Sequence, residues 1–154
     1  MGNSNSLNLN TPIGNLQLEF EGAALKSLKI GGSISFKQIR RPLLLEKTVV
    51  EQLKLYFKKQ LKEFDVTLKL TGTSFQVSVW KELLKIPYGI TVSYSDIASC
   101  INRPKAYRAV ANAIANNPIP IIIPCHRVVH KDGDLSGYTY GDKIKKFLLN
   151  LEHS

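Results

Sequence analysis

The apolar period of this chain changes along its length, and each change restricts what the segment around it can become. Leu16 to Phe20 and Ala24 to Ile30 read as alternating strands, punctuated by Gly14, Gly22, Gly31 and Gly32. From Glu46 to Phe64 the period lengthens. Val49, Leu53, Tyr56, Phe57, Leu61 and Phe64 then fall on one helical stripe. Val66, Leu68 and Leu70 alternate again, which predicts a short strand. Strands, a helix and a strand make a small α/β unit over residues 1–70, and no constellation of chemistry-bearing side chains falls within it.

Thr71-Gly72-Thr73 marks a boundary, and residues 71–154 read as a second, mainly α domain. Thr73 with Gln76 forms a capping box, because each side chain can bond the other residue's backbone N–H. The helix it opens is expected to bury Phe75, Val79, Trp80, Leu83 and Leu84 and to end at Pro87-Tyr88-Gly89. Ser93 with Asp96 opens a second, short helix carrying Ile97, Ala98 and Ile101. After Asn102-Arg103, Pro104 is placed to start an alanine-rich helix over about 105–115. Two short helices joined by a tight turn, the second basic at its start, read as a helix-turn-helix. Asn116-Asn117-Pro118 breaks the helix. Ile119 to Ile123 then reads as a buried strand that delivers Pro124-Cys125-His126-Arg127 at its end. A glycine-rich loop from Gly133 to Gly141 precedes a last helix with the apolar face Ile144, Phe147, Leu148 and Leu151.

Charge narrows the partner. Lys and Arg total 21 against 12 Asp and Glu, a net charge of +9. A solvated basic surface and a polyanionic partner both fit that total. The distribution favours the second. Arg103, Lys105, Arg108, Arg127 and Lys131 fall between Ile97 and Lys131 with no acidic residue among them. No apolar run is long enough to span a bilayer, and Met1 to Ser6 lacks the blocks of a secretory leader. Met1-Gly2 only faintly echoes a myristoylation signal, so a soluble, cytoplasmic protein is expected, with no membrane partner. Cys100 and Cys125 are too few for a disulfide framework, and no Cys/His spacing suits zinc, so no metal and no cofactor are expected.

Cys125 is open to two readings, a buried structural thiol or a nucleophile activated by neighbouring cations. Adjacency alone does not decide between them. Successive strand side chains point to opposite faces, so His126 reaches the thiol directly only if a turn intervenes; otherwise a water relay is needed. Cys100, on the apolar side of its short helix, reads as structural, and His130 and His153 as surface residues without evident partners.

The string Ile121-Ile122-Ile123-Pro124-Cys125-His126-Arg127-Val128 resembles the active-site motif of the O6-alkylguanine-DNA alkyltransferases, the methylated-DNA–protein-cysteine methyltransferases. The resemblance runs from about Thr73 to Glu152. It takes in Phe75-Gln76, Trp80-Lys81, Val92-Ser93-Tyr94, Arg103-Pro104-Lys105-Ala106, Arg108-Ala109-Val110 and Asn117-Pro118 with Pro120. The N-terminal part matches loosely, through Thr11-Pro12-Ile13-Gly14. The resemblance implies a ribonuclease-H-like N-terminal scaffold and a winged helix-turn-helix C-terminal domain. It also implies a monomer that acts on duplex DNA containing O6-alkylguanine, with O4-alkylthymine a further substrate to be tested.

It also implies roles. Cys125 would accept the alkyl group and be permanently inactivated. Glu152 would orient His126, which would take the thiol proton through water, and Asn117 would bond backbone near the active-site turn. Tyr94 would donate to the flipped base as negative charge develops on it. Arg108 would fill the gap left by that base. Ala109, Lys105, Ala106, Tyr107 and Arg127 would lie against DNA, with Tyr107 a departure from the small residue usual there. Val128 would accept from the guanine amine through its carbonyl, and Pro120, Ser136, Gly137, Tyr138 and Thr139 would line the alkyl pocket. Rival readings are a non-catalytic lesion binder, a cysteine-sensing regulator and a thiol hydrolase. Cys125 argues against the first, and a basic substrate face against the last.

Overall fold

The computed structural model describes residues 4–32 and 44–153, so the Met1-Gly2 start lies outside the described residues. The chain divides into two compact units, one ending at Leu70 and the other beginning at Thr71. Together they make an α/β protein with a small antiparallel sheet and helices.

In the first unit, β1 (Ser4–Thr11), β2 (Gly14–Glu21) and β3 (Ala24–Ile30) form an antiparallel meander in chain order. Its inward face, Leu16, Leu18, Phe20, Leu25 and Leu28, is fully buried together with Val49, Leu53 and Tyr56 of α1 (Leu44–Phe57). Each such side chain contributes about 1.5–3 kcal/mol by leaving water. The helix is shorter than its apolar stripe suggests. Lys59 takes a left-handed φ of 62°, Lys59 N–H bonds the Tyr56 carbonyl and Gln60 N–H bonds that of Leu55, a Schellman ending. Leu61 and Phe64 therefore lie beyond the helix. The expected strand over 66–70 reduces to a single parallel bridge between Leu25 and Leu68.

In the second unit, both expected capping boxes are present, at the starts of α2 (Ser74–Leu83) and α3 (Tyr94–Cys100). Trp80 Nε1 donates to the Ala113 carbonyl at 2.8 Å, tying α2 to α4 (Tyr107–Ala115). Leu84 caps α2 and is 41% exposed, and Phe75 is only half-buried, so the buried face is narrower than the sequence reading had it. The α3–α4 turn is a second Schellman ending. Asn102, at φ 60°, bonds Ser99, and Arg103 N–H bonds the Ala98 carbonyl. Pro104 sits in that turn rather than at the first position of α4, which starts at Tyr107 after the uncapped Ala106.

Ile119 to Ile123 is buried, as expected, but it is not a strand. Pro118, Pro120 and Pro124 withhold backbone donors, and Ile121 takes a left-handed φ of 74°, strained for a β-branched residue. The segment folds back on itself, with Ile123 N–H bonding the Ile119 carbonyl at 2.9 Å. It leads into a 3₁₀ turn, Cys125–Arg127, and then into β5 (Val128–Val129), which pairs in parallel with β4 (Val92–Ser93). The last helix, α5 (Asp142–His153), buries Lys145, Leu148, Leu149, Leu151 and Glu152, while Phe147 is 38% exposed instead of lying in its core face. No helix among the described residues is long and apolar enough to cross a membrane.

Candidate active site

Three buried polar residues of the second unit, His126, Arg127 and Glu152, converge around one carboxylate. Glu152 Oε2 lies 2.7 Å from His126 Nε2, and its two oxygens accept from Arg127 Nε at 2.8 Å and Nη2 at 3.0 Å. Arg127 Nη1 donates to the Ile86 carbonyl at 2.7 Å, and Gly89 N–H reaches Glu152 at 3.2 Å. Gly89 has a φ of 78°, and a Cβ there would stand 3.3 Å from the Glu152 carbonyl oxygen, so glycine suits the approach on both counts. The Glu152 and His126 side chains are wholly buried and that of Arg127 nearly so. Arg127, expected to lie against DNA, turns inward here: its Nε and Nη2 donate to Glu152, its Nη1 donates to the Ile86 carbonyl, and its side chain is 7% exposed.

His126 is held as a neutral base. Burial pushes its pKa down, outweighing the upward pull of Glu152. With a carboxylate at Nε2, the ring hydrogen belongs on that nitrogen, and Nδ1 keeps its lone pair. Nδ1 is buried and has no hydrogen-bond partner among the described residues.

Cys125, 6% exposed, sits at the head of the 3₁₀ turn, with its N–H bonded to the Ile123 carbonyl at 2.7 Å. Burial pushes its thiol pKa up, against the opposing pull of the Asn117 and Tyr138 side chains and the Lys145 charge. The resting group is therefore a thiol that needs a base, and Arg127, committed to Glu152, is not the cation that favours its anion. Asn117 holds the turn together: Nδ2 donates to the Ile123 carbonyl at 2.8 Å and Oδ1 accepts from Ile119 N–H at 2.9 Å.

Lys145 is the residue that sequence reading missed. It is fully buried, its Nζ donates to the Val128 carbonyl at 2.6 Å and lies 5.9 Å from the Tyr138 ring centre, and burial pushes its pKa down. The signal was present: position 145 shares a helical face with Leu148, Leu149 and Glu152. The Val128 carbonyl, predicted as a base contact, thus already accepts one bond and keeps a second lone pair.

Tyr94 is 7% exposed, and burial first and the nearby Cys125 second push its pKa up, so its hydroxyl stays a donor. His130 is not without partners. Its ring packs 5.0 Å from that of Tyr94, and its Nε2 lies 3.1 Å from the Ser136 carbonyl. The 136–139 loop is tied at both ends: Ser136 Oγ bonds Asp134 at 3.0 Å and Thr139 Oγ1 bonds the Ala115 carbonyl at 2.8 Å. Gly137 is exposed, Tyr138 half-buried and Pro120 buried. On α4 and the turn before it, Lys105, Tyr107, Arg108 and Ala109 are exposed and Ala106 is half-buried, while Val110, Ala113 and Ile114 face the core. Cys100, expected to be structural, is exposed, and the charges acting on its thiol are those of Glu82, Asp96 and Lys85.

Residues 74–154 match the family described as 6-O-methylguanine DNA methyltransferase, DNA binding domain. A methylated-DNA–protein-cysteine methyltransferase of Methanosarcina barkeri is 55% identical over 103 residues, 67% of this chain and 65% of that relative. One from Mycobacterium tuberculosis is 45% identical over 95% of this chain and 90% of its own length. Among solved structures, Mycobacterium tuberculosis OGT in complex with DNA matches at 45% identity and a TM-score of 0.86, covering 95% of this chain and 91% of that one. An O6-methylguanine DNA methyltransferase from Methanococcus jannaschii matches at 30% identity and a TM-score of 0.71, over 96% and 93% of the two chains.

Proposed function

The chain belongs to the methylated-DNA–protein-cysteine methyltransferase family, and from that premise we propose that Cys125 is the residue that takes the alkyl group. The protein repairs DNA by direct alkyl transfer to a protein cysteine. Carrying the assignment to Cys125 is one observation: a buried thiol at the head of a turn whose next residue is a neutral histidine, locked at Nε2 by Glu152.

In this reading Glu152 fixes the tautomer, His126 Nδ1 takes the thiol proton through a water, and the thiolate attacks the alkyl carbon. The S–C bond forms as the C–O6 bond breaks, and the electron pair leaves with guanine, which ends with the proton. The hydroxyl of Tyr94 donates to the base as that charge develops, where solvent cannot. The Val128 carbonyl receives the guanine amine through its remaining lone pair, and Pro120 with the Ser136–Thr139 loop borders the alkyl group. The thioether has no bond that water cleaves readily, so each molecule acts once.

A guanine O6 inside a duplex is out of reach of an in-line nucleophile, so the base leaves the stack. In this reading α3 and α4 form the helix-turn-helix of a winged domain. Small Ala109 and Ala106 allow close approach, Arg108 fills the vacated space and Lys105 meets phosphate. The first unit is a ribonuclease-H-like scaffold, and the protein works as a cytoplasmic monomer.

The test is intact-protein mass after incubation with a duplex carrying one O6-methylguanine. Wild type gains a single methyl group and stops at one equivalent, while Cys125→Ala gains none. Lesion binding without any mass gain would demote the chain to a damage-recognition protein.

A further inference from the structure

In the first unit β1 is the edge of the meander, and α1 packs against it. Two concavities lie between the strand and the helix, and Lys54 borders both. The wider, of about 430 Å³, is bordered by Leu7 of β1 and Val50 of α1. The narrower, of about 230 Å³, has Leu9 and Pro12 on one side and Phe57 on the other. Together they make a groove that follows the edge strand along residues 7–12.

Both walls of the narrow end are fixed. Thr11 Oγ1 donates to the Gly14 carbonyl at 2.7 Å and accepts from Ile13 N–H at 3.3 Å, which holds the β1–β2 turn. The Schellman ending at Lys59 stops α1 at half-buried Phe57, whose ring stands edge-on to that of Tyr56 with centres 5.4 Å apart.

Charge is uneven along the groove. The wider end holds Glu46 and Glu51 as well as Lys47, whereas the narrow end holds Lys54 and Lys58 and no carboxylate. Both of those lysines are exposed, and neither forms an ion pair among the described residues. An apolar floor under two cations suits a segment that carries an apolar side chain beside carboxylates. It suits a nucleic acid poorly, because Leu9, Pro12 and Phe57 offer a sugar-phosphate backbone nothing to bond. Among the described residues β1 pairs on one side only, so its outer edge presents main-chain donors and acceptors to an extended chain.

We propose that this groove docks an extended, acidic and apolar peptide segment of a partner protein. The segment continues the sheet at β1, seats an apolar side chain against Leu9, Pro12 and Phe57, and sets its carboxylates on Lys54 and Lys58. The first unit then recruits a partner, a role separate from alkyl transfer.

The experiment uses the full chain and a short synthetic peptide in which leucine is flanked by aspartates, followed by amide chemical shifts and by fluorescence anisotropy. Shifts should concentrate on residues 7–12 and 50–58, and binding should weaken as salt is added. Lys54→Glu combined with Lys58→Glu should weaken binding by about tenfold. The same variant should bind instead the peptide in which lysines replace the aspartates, a gain that a misfolded protein would not show. Its methyl transfer, read by intact mass, should equal that of wild type. Absence of binding, shifts confined to other residues, or equal affinity of the aspartate peptide for both proteins overturns the site. Movement of the same amides by an undamaged duplex, lost in the charge-reversed variant, would make the groove a nucleic-acid contact and overturn it equally.

Discussion

Replacing Arg127 by alanine tests the reading of the His126–Arg127–Glu152 cluster most directly. The substitution removes two bonds to the Glu152 carboxylate, at 2.8 and 3.0 Å, and strands the Ile86 carbonyl, which accepts at 2.7 Å. The Glu152 side chain is wholly buried, so water cannot replace what is lost. Breaking a buried ion pair from one side costs about 3–5 kcal/mol. For a domain the size of the second unit, each kcal/mol lowers Tm by about 4–8 °C, so the drop should be at least about 12 °C. Thermal melting followed by circular dichroism measures it, and added salt should change the difference little, because buried pairs are weakly screened. An unchanged Tm together with a salt slope for DNA binding lowered by about 0.9 would refute the argument, and would put Arg127 on a phosphate after all.

Burial holds the His126 imidazole below its ordinary 6.5, so it stays neutral, and able to take a proton, at lower pH than a free histidine. The acid limb of the methyl-transfer rate should therefore lie below pH 6.5, and a limb at or above that value sinks the assignment. The same depression has a stability sign: the unfolded chain takes up this proton first, so the contribution of His126 is complete above about 6.5 and is lost as pH falls toward the folded-state value. Tyr94→Phe should slow transfer by about 10²-fold with lesion binding retained; equal single-turnover rates for the two proteins would remove Tyr94 from the mechanism. Asn117→Ala leaves Ile119 N–H and the Ile123 carbonyl without their buried partner, at about 1–3 kcal/mol for each group. A urea midpoint equal to that of wild type would show that the turn holds itself.

Local signals were legible in the chain because the groups that satisfy them are close in sequence. The capping boxes of Thr73 with Gln76 and Ser93 with Asp96 place a side-chain oxygen three residues from the N–H it meets, whatever the rest of the protein does. The alternation in β2 and β3, the stripe of α1 and the motif around Cys125 are of the same kind. Tertiary structure decided what depends on distant partners or on competing backbone demands. The isoleucine run has the composition of a strand, yet its prolines withhold ladder donors and Asn117 offers its backbone other partners, so it coils. Arg127 reads as one more cation in a basic stretch until Glu152, 25 positions later, takes its guanidinium into the core. Lys145 reads as surface charge until the Val128 carbonyl receives it. A charged side chain carries no local mark of its burial: its place is settled by whether the fold brings it a partner able to offset the loss of water, and that partner is seldom a neighbour in sequence.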